Sequence, residues 1–203
     1  MILVDIGNTT ACIYESNKAH RINISDFNPK NISKKAYYIC VNPNYSILPD
    51  NYINLEPYFK LNSDYLGLGV DRIAVCYCIE NGIIVDAGSA ITVDKMQNNK
   101  HCGGFILPGL NAYLNAYKNI SSRLDYQLNT KIDLTLLPNS TKDAISYAVL
   151  KSIILSISEF AQNQTIYLTG GDACYLNQYF KNAINEKDLI FKGMLKLISS
   201  LKL

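Results

Sequence analysis

The chain has 203 residues and a mass of 22.7 kDa, which fits one large domain or two small ones, since a domain usually holds about 100–200 residues. Its 48% hydrophobic content and 18% charged content exclude extensive disorder, because a disordered chain lacks the apolar surface to offset its ordering entropy. Nineteen Lys and Arg residues against 17 Asp and Glu give a net charge of +2. So small a charge does not supply the basic field of a nucleic-acid-binding surface, so no nucleic-acid partner is expected.

The sequence has no pattern typical of a membrane or secretory protein. No apolar run approaches the ~20 residues that span a bilayer, and the first residues, Met1 to Asp5, lack the basic region and cleavage site of a leader. The six cysteines are scattered through apolar stretches without a C-x-x-C pair, which indicates buried thiols rather than zinc or redox sites. We expect a cytoplasmic protein that binds no membrane.

Two segments about 80 residues apart share one pattern. Residues Ile2 to Ile13 contain an apolar run, the sequence Asp5-Ile6-Gly7-Asn8 and a second apolar run. Residues Ile83 to Asp94 repeat this pattern around Asp86-Ala87-Gly88-Ser89. Each copy predicts a strand, a glycine turn and a second strand. A single Asp-x-Gly is often only a hairpin turn, but two copies with matched flanks favour a duplicated half-protein.

The rest of the pattern predicts an α/β fold with two similar domains. Asn81-Gly82 resembles a C-cap that ends a helix over Gly69 to Glu80, so we predict domains at 1–81 and 82–203 with the working site in a cleft between them. The other predicted elements are strands over Lys18 to Ile24, Ala36 to Val41, His101 to Leu107 and Thr165 to Leu168, helices from Pro108-Gly109 to about Leu124 and from Ser140, and a closing strand near Leu189 to Phe191 followed by a short helix.

Both glycine turns have the residues of a phosphate site. Asp5 and Asp86 each end a buried strand, where a carboxylate would hold a magnesium ion directly or through water. The turn N–H groups and the side chains of Asn8 to Thr10 would bind phosphate oxygens. Gly7 and Gly88 would let a ligand approach the backbone closely. Two such turns facing one cleft would hold a nucleoside triphosphate.

Short motifs follow one another in a fixed order along nearly the whole chain. They are Asp5-Ile6-Gly7-Asn8-Thr9, Gly69-Val70-Asp71-Arg72, Asp86-Ala87-Gly88-Ser89-Ala90-Ile91-Thr92, Gly103-Gly104-Phe105-Ile106-Leu107-Pro108-Gly109, and then Ser140-Thr141 with Thr169-Gly170-Gly171-Asp172-Ala173. In this order they resemble the motifs of type III pantothenate kinases, which belong to the actin and sugar-kinase superfamily. An ordered set of motifs is far more specific than a single Asp-x-Gly.

The resemblance implies two ribonuclease H-like domains and an activity. The reaction would be transfer of the γ-phosphate of ATP to pantothenate, giving 4′-phosphopantothenate in the first step of coenzyme A biosynthesis. The implied cofactors are ATP with Mg²⁺ and a monovalent cation, K⁺ or NH₄⁺. A homodimer is also implied, because in this family a partner subunit helps to close the pantothenate site.

The resemblance also implies roles for individual residues. Asp71 would accept the proton of the substrate hydroxyl, Asp86 would hold the monovalent cation and Asp5 would bind Mg²⁺ through ATP. Ser89, where the family commonly has Thr, would contact ATP. The other implied ATP-binding positions are Ile6, Gly7, Asn8, Thr9, Thr10, Ala11 and Cys12, and the implied pantothenate-binding positions are Gly69, Val70, Asp71, Arg72 and Thr141.

Other interpretations of the same residues stay open. Asp71-Arg72 fits a helix that begins with a dipole-favoured acid and a solvated Arg, and Ser140-Thr141 fits a helix cap alone. The family places a tyrosine seven residues before the motif glycine, where this chain has Asn62. Tyr58 and Tyr65 are the candidates to replace it, and the pantothenate-facing tyrosine stays unassigned. A nucleotide-binding regulator without turnover, or a phosphatase that uses water as acceptor, would suit the same fold.

Overall fold

The computed structural model describes residues 1–201, which form two compact units. The first unit contains Met1–Asn81, Met96–Gly103 and the segment from Asp188, and the second contains Gly82–Lys95 and Gly104–Lys187. Residues 81 and 82 fall in different units. The second unit does not contain all of residues 82–203. The hairpin tip, Met96–Gly103, and the segment from Asp188 belong to the first unit.

The described residues form eleven strands and five α-helices. The strands are β1 (Ile2–Ile6), β2 (Thr10–Glu15), β3 (Lys18–Asn23), β4 (Ala36–Cys40), β5 (Tyr52–Asn54), β6 (Asn62–Ser63), β7 (Gly82–Ala87), β8 (Ala90–Gln97), β9 (Lys100–Pro108), β10 (Ile166–Thr169) and β11 (Ala183–Asn185). The α-helices are α1 (Val70–Cys76), α2 (Leu110–Ile120), α3 (Thr141–Ala161), α4 (Ala173–Leu176) and α5 (Leu189–Leu201).

The five strands of the first sheet and five strands of the second follow the same order, and the second sheet has one further edge strand, β6. The first sheet has the order β3-β2-β1-β4-β5, and the second has β11-β10-β7-β8-β9-β6. Strand β1 pairs in parallel with β4, and β4 with β5. In the same way β7 pairs in parallel with β10, and β10 with β11. The predicted strand, turn and strand therefore begins each half, and each half has the strand order of a ribonuclease H-like domain.

The central strand of the first sheet is buried on both faces. Leu3 packs in a cluster with Val70 and Phe191, whereas Val4 and Ile6 pack in a second cluster on the other face. Successive side chains of a strand point to opposite faces, so one apolar run fills two cores. This burial explains why β1 is a nearly continuous apolar run rather than an alternating one.

The C-terminal segment is a helix, so the predicted strand near Leu189 to Phe191 is wrong. These residues begin α5, whose buried residues include Met194 and Leu197. A short apolar run suits a strand and the first turn of a buried helix equally well, and only the spacing of the later residues separates them. The helix lies close to α1, because a Cβ at Gly193 would stand 1.9 Å from the carbonyl oxygen of Ala74.

The predicted end of the first helix is also wrong. Helix α1 ends at Cys76, several residues before the proposed cap at Asn81-Gly82. Gly82 instead begins β7, with φ of 139°, and a Cβ there would stand 2.8 Å from the ring of Tyr167. This glycine is therefore needed for backbone conformation and close packing at the start of a strand.

Helix α3 is the core helix of the second unit. By length and composition alone its 21 residues would cross a membrane, a property that the sequence pattern did not reveal. Its residues Ile145, Val149, Leu150 and Ile153 are buried in the main apolar cluster of this unit. A core helix passes the same test of length and composition, and the packing of α3 is that of a core helix.

Candidate functional site

The first glycine turn joins β1 to β2. Asp5 lies near the end of β1, opposite Cys12 of β2 and Ile39 of β4. The Gly7 N–H donates to the carbonyl oxygen of Thr10 at 2.9 Å, which closes the turn. Asn8 and Thr9 are exposed between these residues. The turn thus presents two polar residues beside a half-buried carboxylate.

Three of the predicted ATP-binding residues have buried side chains. Ile6 and Ala11 are fully buried in one cluster, and Cys12 is buried in the cluster on the other face of the sheet. Burial raises the pKa of the Cys12 thiol above its usual value. These residues can therefore offer a ligand only their backbone, whereas the side chains of Asn8 and Thr9 are accessible.

The second glycine turn joins β7 to β8. Asp86 lies near the end of β7 and is paired with Thr169 of β10. The Gly88 N–H donates to the carbonyl oxygen of Ala90 at 3.0 Å, and Ser89 is exposed between them. The hydrogen bond from the turn glycine is thus found in both halves.

Two other motifs pack directly against this second turn. Gly170 has φ of 91°, and a Cβ there would stand 2.4 Å from both the Ala87 carbonyl oxygen and Asp86 Oδ1. The Asp172 N–H donates to that same carbonyl oxygen at 2.9 Å. Gly109 is equally close, since its Cβ would stand 2.3 Å from the carbonyl oxygen of Gly88. Motifs that lie far apart in the sequence therefore meet at one turn.

Asp71 lies in the first turn of α1, half-buried. Its Oδ1 accepts a hydrogen bond from the Arg72 N–H at 2.8 Å. Gly69 precedes the helix as its N-cap residue, and a Cβ there would stand 2.5 Å from Asp71 Oδ1. Gly69 thus leaves room for the carboxylate. The neighbouring Val70 side chain is 2% exposed and belongs to the core, so only its backbone is available to a ligand.

Arg72 is buried rather than solvated. Only 5% of the residue is exposed, and its guanidinium carbon lies 4.8 Å from the centre of the Tyr65 ring. This is a cation–π arrangement, which holds the guanidinium in a defined plane. Of the two tyrosines considered for the substrate site, Tyr65 therefore contacts the Gly69 to Arg72 motif. Tyr58 lies in a short 3-10 turn, Glu56–Tyr58, and is exposed.

A cavity of about 410 Å³ opens beside Tyr65. Across its lining, the Lys100 Nζ lies 2.7 Å from Asp64 Oδ2. The hydrogen bond between them lowers the pKa of Asp64 and raises the pKa of Lys100. No chemistry was expected of His101 from the sequence. Its side chain is buried, with 1% of the residue exposed, and its Nδ1 lies 2.8 Å from the Ser63 Oγ. The cavity is lined by Asp64, Tyr65, Lys100, His101, Cys102 and Gly103.

Thr141 is the first residue of α3 and is exposed. The preceding Ser140 is the N-cap that the sequence predicted, because its Oγ accepts the Asp143 N–H at 3.2 Å. The Asp143 carboxylate in turn accepts hydrogen bonds from Asn129 and Ser140, which lower its pKa. The cap is thus satisfied by Ser140, and the Thr141 side chain stays accessible.

The architecture matches a known class. Component A of (R)-2-hydroxyglutaryl-CoA dehydratase from Acidaminococcus fermentans superposes with a TM-score of 0.51 at 10% identity, covering 96% of this chain and 94% of that one, which shows the fold alone. The repeated strand order and this likeness define a fold of two ribonuclease H-like domains.

Relatives then give the family. The model of the type III pantothenate kinase family matches residues 53–163. A type III pantothenate kinase of Campylobacter jejuni subsp. jejuni is 48% identical over 201 residues, which cover 98% of this chain and 96% of that protein. A Campylobacter jejuni crystal structure, described as that of a conserved Baf family transcriptional activator, has a TM-score of 0.88 at 44% identity and covers 100% of this chain and 99% of its own. The chain belongs to the type III pantothenate kinase family.

Proposed function

We propose that the protein phosphorylates pantothenate with ATP, giving 4′-phosphopantothenate in the first step of coenzyme A biosynthesis. The observation that carries this proposal is the identity of 48% to a type III pantothenate kinase over almost the whole length of both chains. The two glycine turns and the Gly69 to Arg72 motif support it, because each has a half-buried carboxylate, Asp5, Asp86 or Asp71.

Asp71 is the proposed general base. The proton of the pantothenate hydroxyl passes to its carboxylate, the hydroxyl oxygen forms a bond to the γ-phosphorus, and the bond to the bridging oxygen breaks so that ADP leaves with that electron pair. The Arg72 N–H donates a hydrogen bond to Asp71 Oδ1 and so orients this carboxylate. We assign the carboxylate of Asp71 as the group that accepts the proton of the substrate hydroxyl. Phosphoryl transfer needs mainly positioning and charge neutralisation, so no covalent nucleophile is required.

ATP with a divalent cation is the cofactor, and Asp5 is the proposed residue that holds the cation through ATP. A half-buried carboxylate at the end of β1, beside an exposed polar turn, fits a hard cation that prefers oxygen ligands. The cation would neutralise phosphate charge. We propose that the backbone from Ile6 to Cys12 and the Ser89 side chain bind ATP.

Asp86 is the proposed ligand of a monovalent cation, K⁺ or NH₄⁺. Its carboxylate is half-buried near the end of β7, beside the second glycine turn. Carboxylate oxygens are the kind of ligand that such cations prefer. The ion would add positive charge beside the second turn.

The proposal extends to assembly and location. We propose a cytoplasmic homodimer in which Thr141 reaches pantothenate and a partner subunit helps to close the pantothenate site, with no nucleic-acid or membrane partner. Several large apolar side chains of the second unit are exposed. They are Ile106, Ile120, Leu136, Leu137 and Leu155. Light scattering behind a sizing column would report the mass of the assembly.

One assay tests the reaction and both alternatives. ADP release is measured with and without pantothenate, in potassium buffer and in potassium-free, ammonium-free sodium buffer, and the product is identified by mass. We expect pantothenate-dependent ADP release that needs potassium. Release of phosphate without a phosphorylated acceptor would indicate a phosphatase. Binding of ATP without any turnover would indicate a regulator, as the description of the Campylobacter jejuni structure suggests for that protein.

Full activity in the sodium buffer would contradict only one part of the proposal, the K⁺ or NH₄⁺ ion at Asp86. It would leave the phosphorylation of pantothenate intact, because that conclusion depends on the product and not on the ion.

A further inference from the structure

A buried side chain outside the predicted motifs contacts the first phosphate turn. Asn42 follows β4, and 6% of the residue is exposed. Its Nδ2 donates a hydrogen bond to the carbonyl oxygen of Gly7 at 3.1 Å. The Val41 N–H donates to the carbonyl oxygen of Ile6 at 3.0 Å. The segment after β4 is therefore bonded to the turn at two successive residues.

The other side of this amide is also fixed. Asn42 Oδ1 accepts the Asn44 N–H at 3.0 Å, which caps the 3-10 turn Pro43–Tyr45. The Asn42 carbonyl oxygen accepts the Tyr45 N–H at 3.1 Å. An amide has donors only on nitrogen and its acceptor only on oxygen, so both side-chain contacts require the same orientation. The group that faces Gly7 is thus a donor.

This hydrogen bond decides where the next backbone donor points. The C=O and N–H of a planar trans peptide point in opposite directions, and the chain has no cis peptide among its described residues. The Gly7 carbonyl points to the buried Asn42, so the Asn8 N–H points away from it, on the exposed side of the turn. The Gly7 N–H is already used within the turn by Thr10. The Asn8 N–H is therefore a backbone donor directed outward.

We propose that Asn42 is a positioning residue that holds the first phosphate turn in the orientation that binds a phosphate of ATP. The inference rests on the proposed function in one respect, namely that this turn binds phosphate. Donors that already point at a ligand need no reorganisation when it binds. Without the Nδ2 donor, the Gly7-Asn8 peptide loses its fixed direction, and the affinity for phosphate falls while the sheet remains.

The chain contains a matched control for this residue. Asn28 has the same arrangement before a proline: its Oδ1 accepts the Lys30 N–H at 3.0 Å and caps the 3-10 turn Pro29–Asn31. Asn28 is exposed, in contrast to Asn42. Serine keeps a capping oxygen in such turns but is too short to reach the Gly7 carbonyl oxygen. Asn42→Ser and Asn28→Ser therefore make the same cap substitution, and only the first removes the bond to the phosphate turn.

The experiment measures binding to the full chain without pantothenate. Affinities for Mg-ATP and for adenosine are measured by competition with a fluorescent ATP analogue, and thermal melts are recorded beside them. We expect Asn42→Ser to weaken Mg-ATP by about five- to tenfold, the usual effect of one hydrogen bond, and to leave adenosine within about twofold. Asn28→Ser should change neither affinity. Asn42→Asp, which keeps the capping oxygen but presents an acceptor to Gly7, should weaken Mg-ATP further.

Three results would overturn the inference. The first is a Mg-ATP affinity of Asn42→Ser equal to that of the parent. The second is an equal loss of Mg-ATP and adenosine, which would mean a general loss of structure. The third is a parent protein that binds no Mg-ATP, which would contradict the premise that this turn binds a phosphate. A parent that binds Mg-ATP but does not phosphorylate pantothenate contradicts only the proposed reaction, so the two failures are distinguishable.

Discussion

The two glycine turns have the same hydrogen bond at their glycine but are supported in different ways. The first turn is held by a side chain, the amide of Asn42, which contacts the carbonyl oxygen of Gly7. The second is enclosed by backbone, because Gly170 and Gly109 approach it so closely that neither has room for a Cβ. Two turns with the same local sequence pattern and hydrogen bond can therefore be held in place by different neighbouring groups.

A consequence is that the two units should respond differently to substitution. In the first unit, the groups proposed for the chemistry are side chains on an otherwise packed sheet and helix, so changing them should alter activity and spare stability. In the second unit, close backbone packing forms the turn, so the largest effects should be on stability. The four predictions below test this contrast.

The largest expected effect is the loss of catalytic rate in the Asp71→Asn variant. A general base contributes about 10²–10⁴-fold, so kcat should fall by that factor with little change in the melting temperature. An acid that only stabilised the first turn of α1 through the helix dipole would lose about 0.3–1 kcal/mol of stability on this change and show almost no change in rate. Single-turnover phosphorylation of pantothenate beside a thermal melt separates the two roles. Turnover within a fewfold of the parent would remove Asp71 as the base.

The next largest effect is the destabilisation of Gly170→Ala. A positive φ and contacts of 2.4 Å act together there, so we expect a loss of about 2–4 kcal/mol in the free energy of unfolding. Gly67 also has a positive φ, 74°, but open space around it. Gly67→Ala thus isolates the backbone cost and should lose only about 1 kcal/mol. Equal losses in urea unfolding would contradict the close packing of the second turn.

Asp5→Asn should follow, with an effect on ligand binding. Removing a charged ligand of Mg-ATP should raise its KM by about 10- to 100-fold, since hydrogen bonds to charged groups contribute about 1.5–3 kcal/mol. Stability should hold, because the apolar residues of β1 are unchanged. The measurement is initial rate at limiting magnesium, with Asp26→Asn as a charge-matched control on an exposed 3-10 turn. Parent-like activity of Asp5→Asn under these conditions would contradict the assignment of Asp5 as a ligand of Mg-ATP.

The smallest expected effect concerns Gly88→Ala. A Cβ at Gly88 would meet only the Ala90 carbonyl oxygen, at the ordinary distance of 3.7 Å. The free energy of unfolding should therefore change by less than about 1 kcal/mol. If a phosphate approaches this backbone, the Mg-ATP affinity should nevertheless fall by about three- to tenfold, which calorimetry would measure. An unchanged affinity would mean that the ligand does not approach Gly88.

The duplicated strand, turn and strand could be predicted from the sequence because it is local. Its apolar runs and glycines lie within a few residues of one another, and the cap at Ser140 is equally local. The support of the turns could not be predicted, because Asn42 and Gly170 act on residues far away in the sequence. Motif spacing also gave no sign that the motif glycine Gly88 has room for a side chain whereas Gly109 has none.

Two further features depend on neighbours that only the folded chain reveals. Tyr65 lies over Arg72 because β6 and the helix start bring them together, and nothing in the spacing chose it over Tyr58. Helix α5 was predicted as a strand at its start, because a helix covered by α1 and β1 begins with the same apolar residues as a buried strand.

The position of α5 also sets an order for folding during synthesis. Its residues Phe191 and Met194 share a core with Leu3 and Val70, so the first unit cannot complete that core until the last part of the chain has been made. All residues of the second unit precede Asp188. At about 5–20 residues per second, the ribosome needs roughly 6–24 seconds to pass from residue 81 to the end of α5. During that time the apolar face of α1 lacks its partner, and every residue of the second unit is made before Asp188, the first residue of the C-terminal segment.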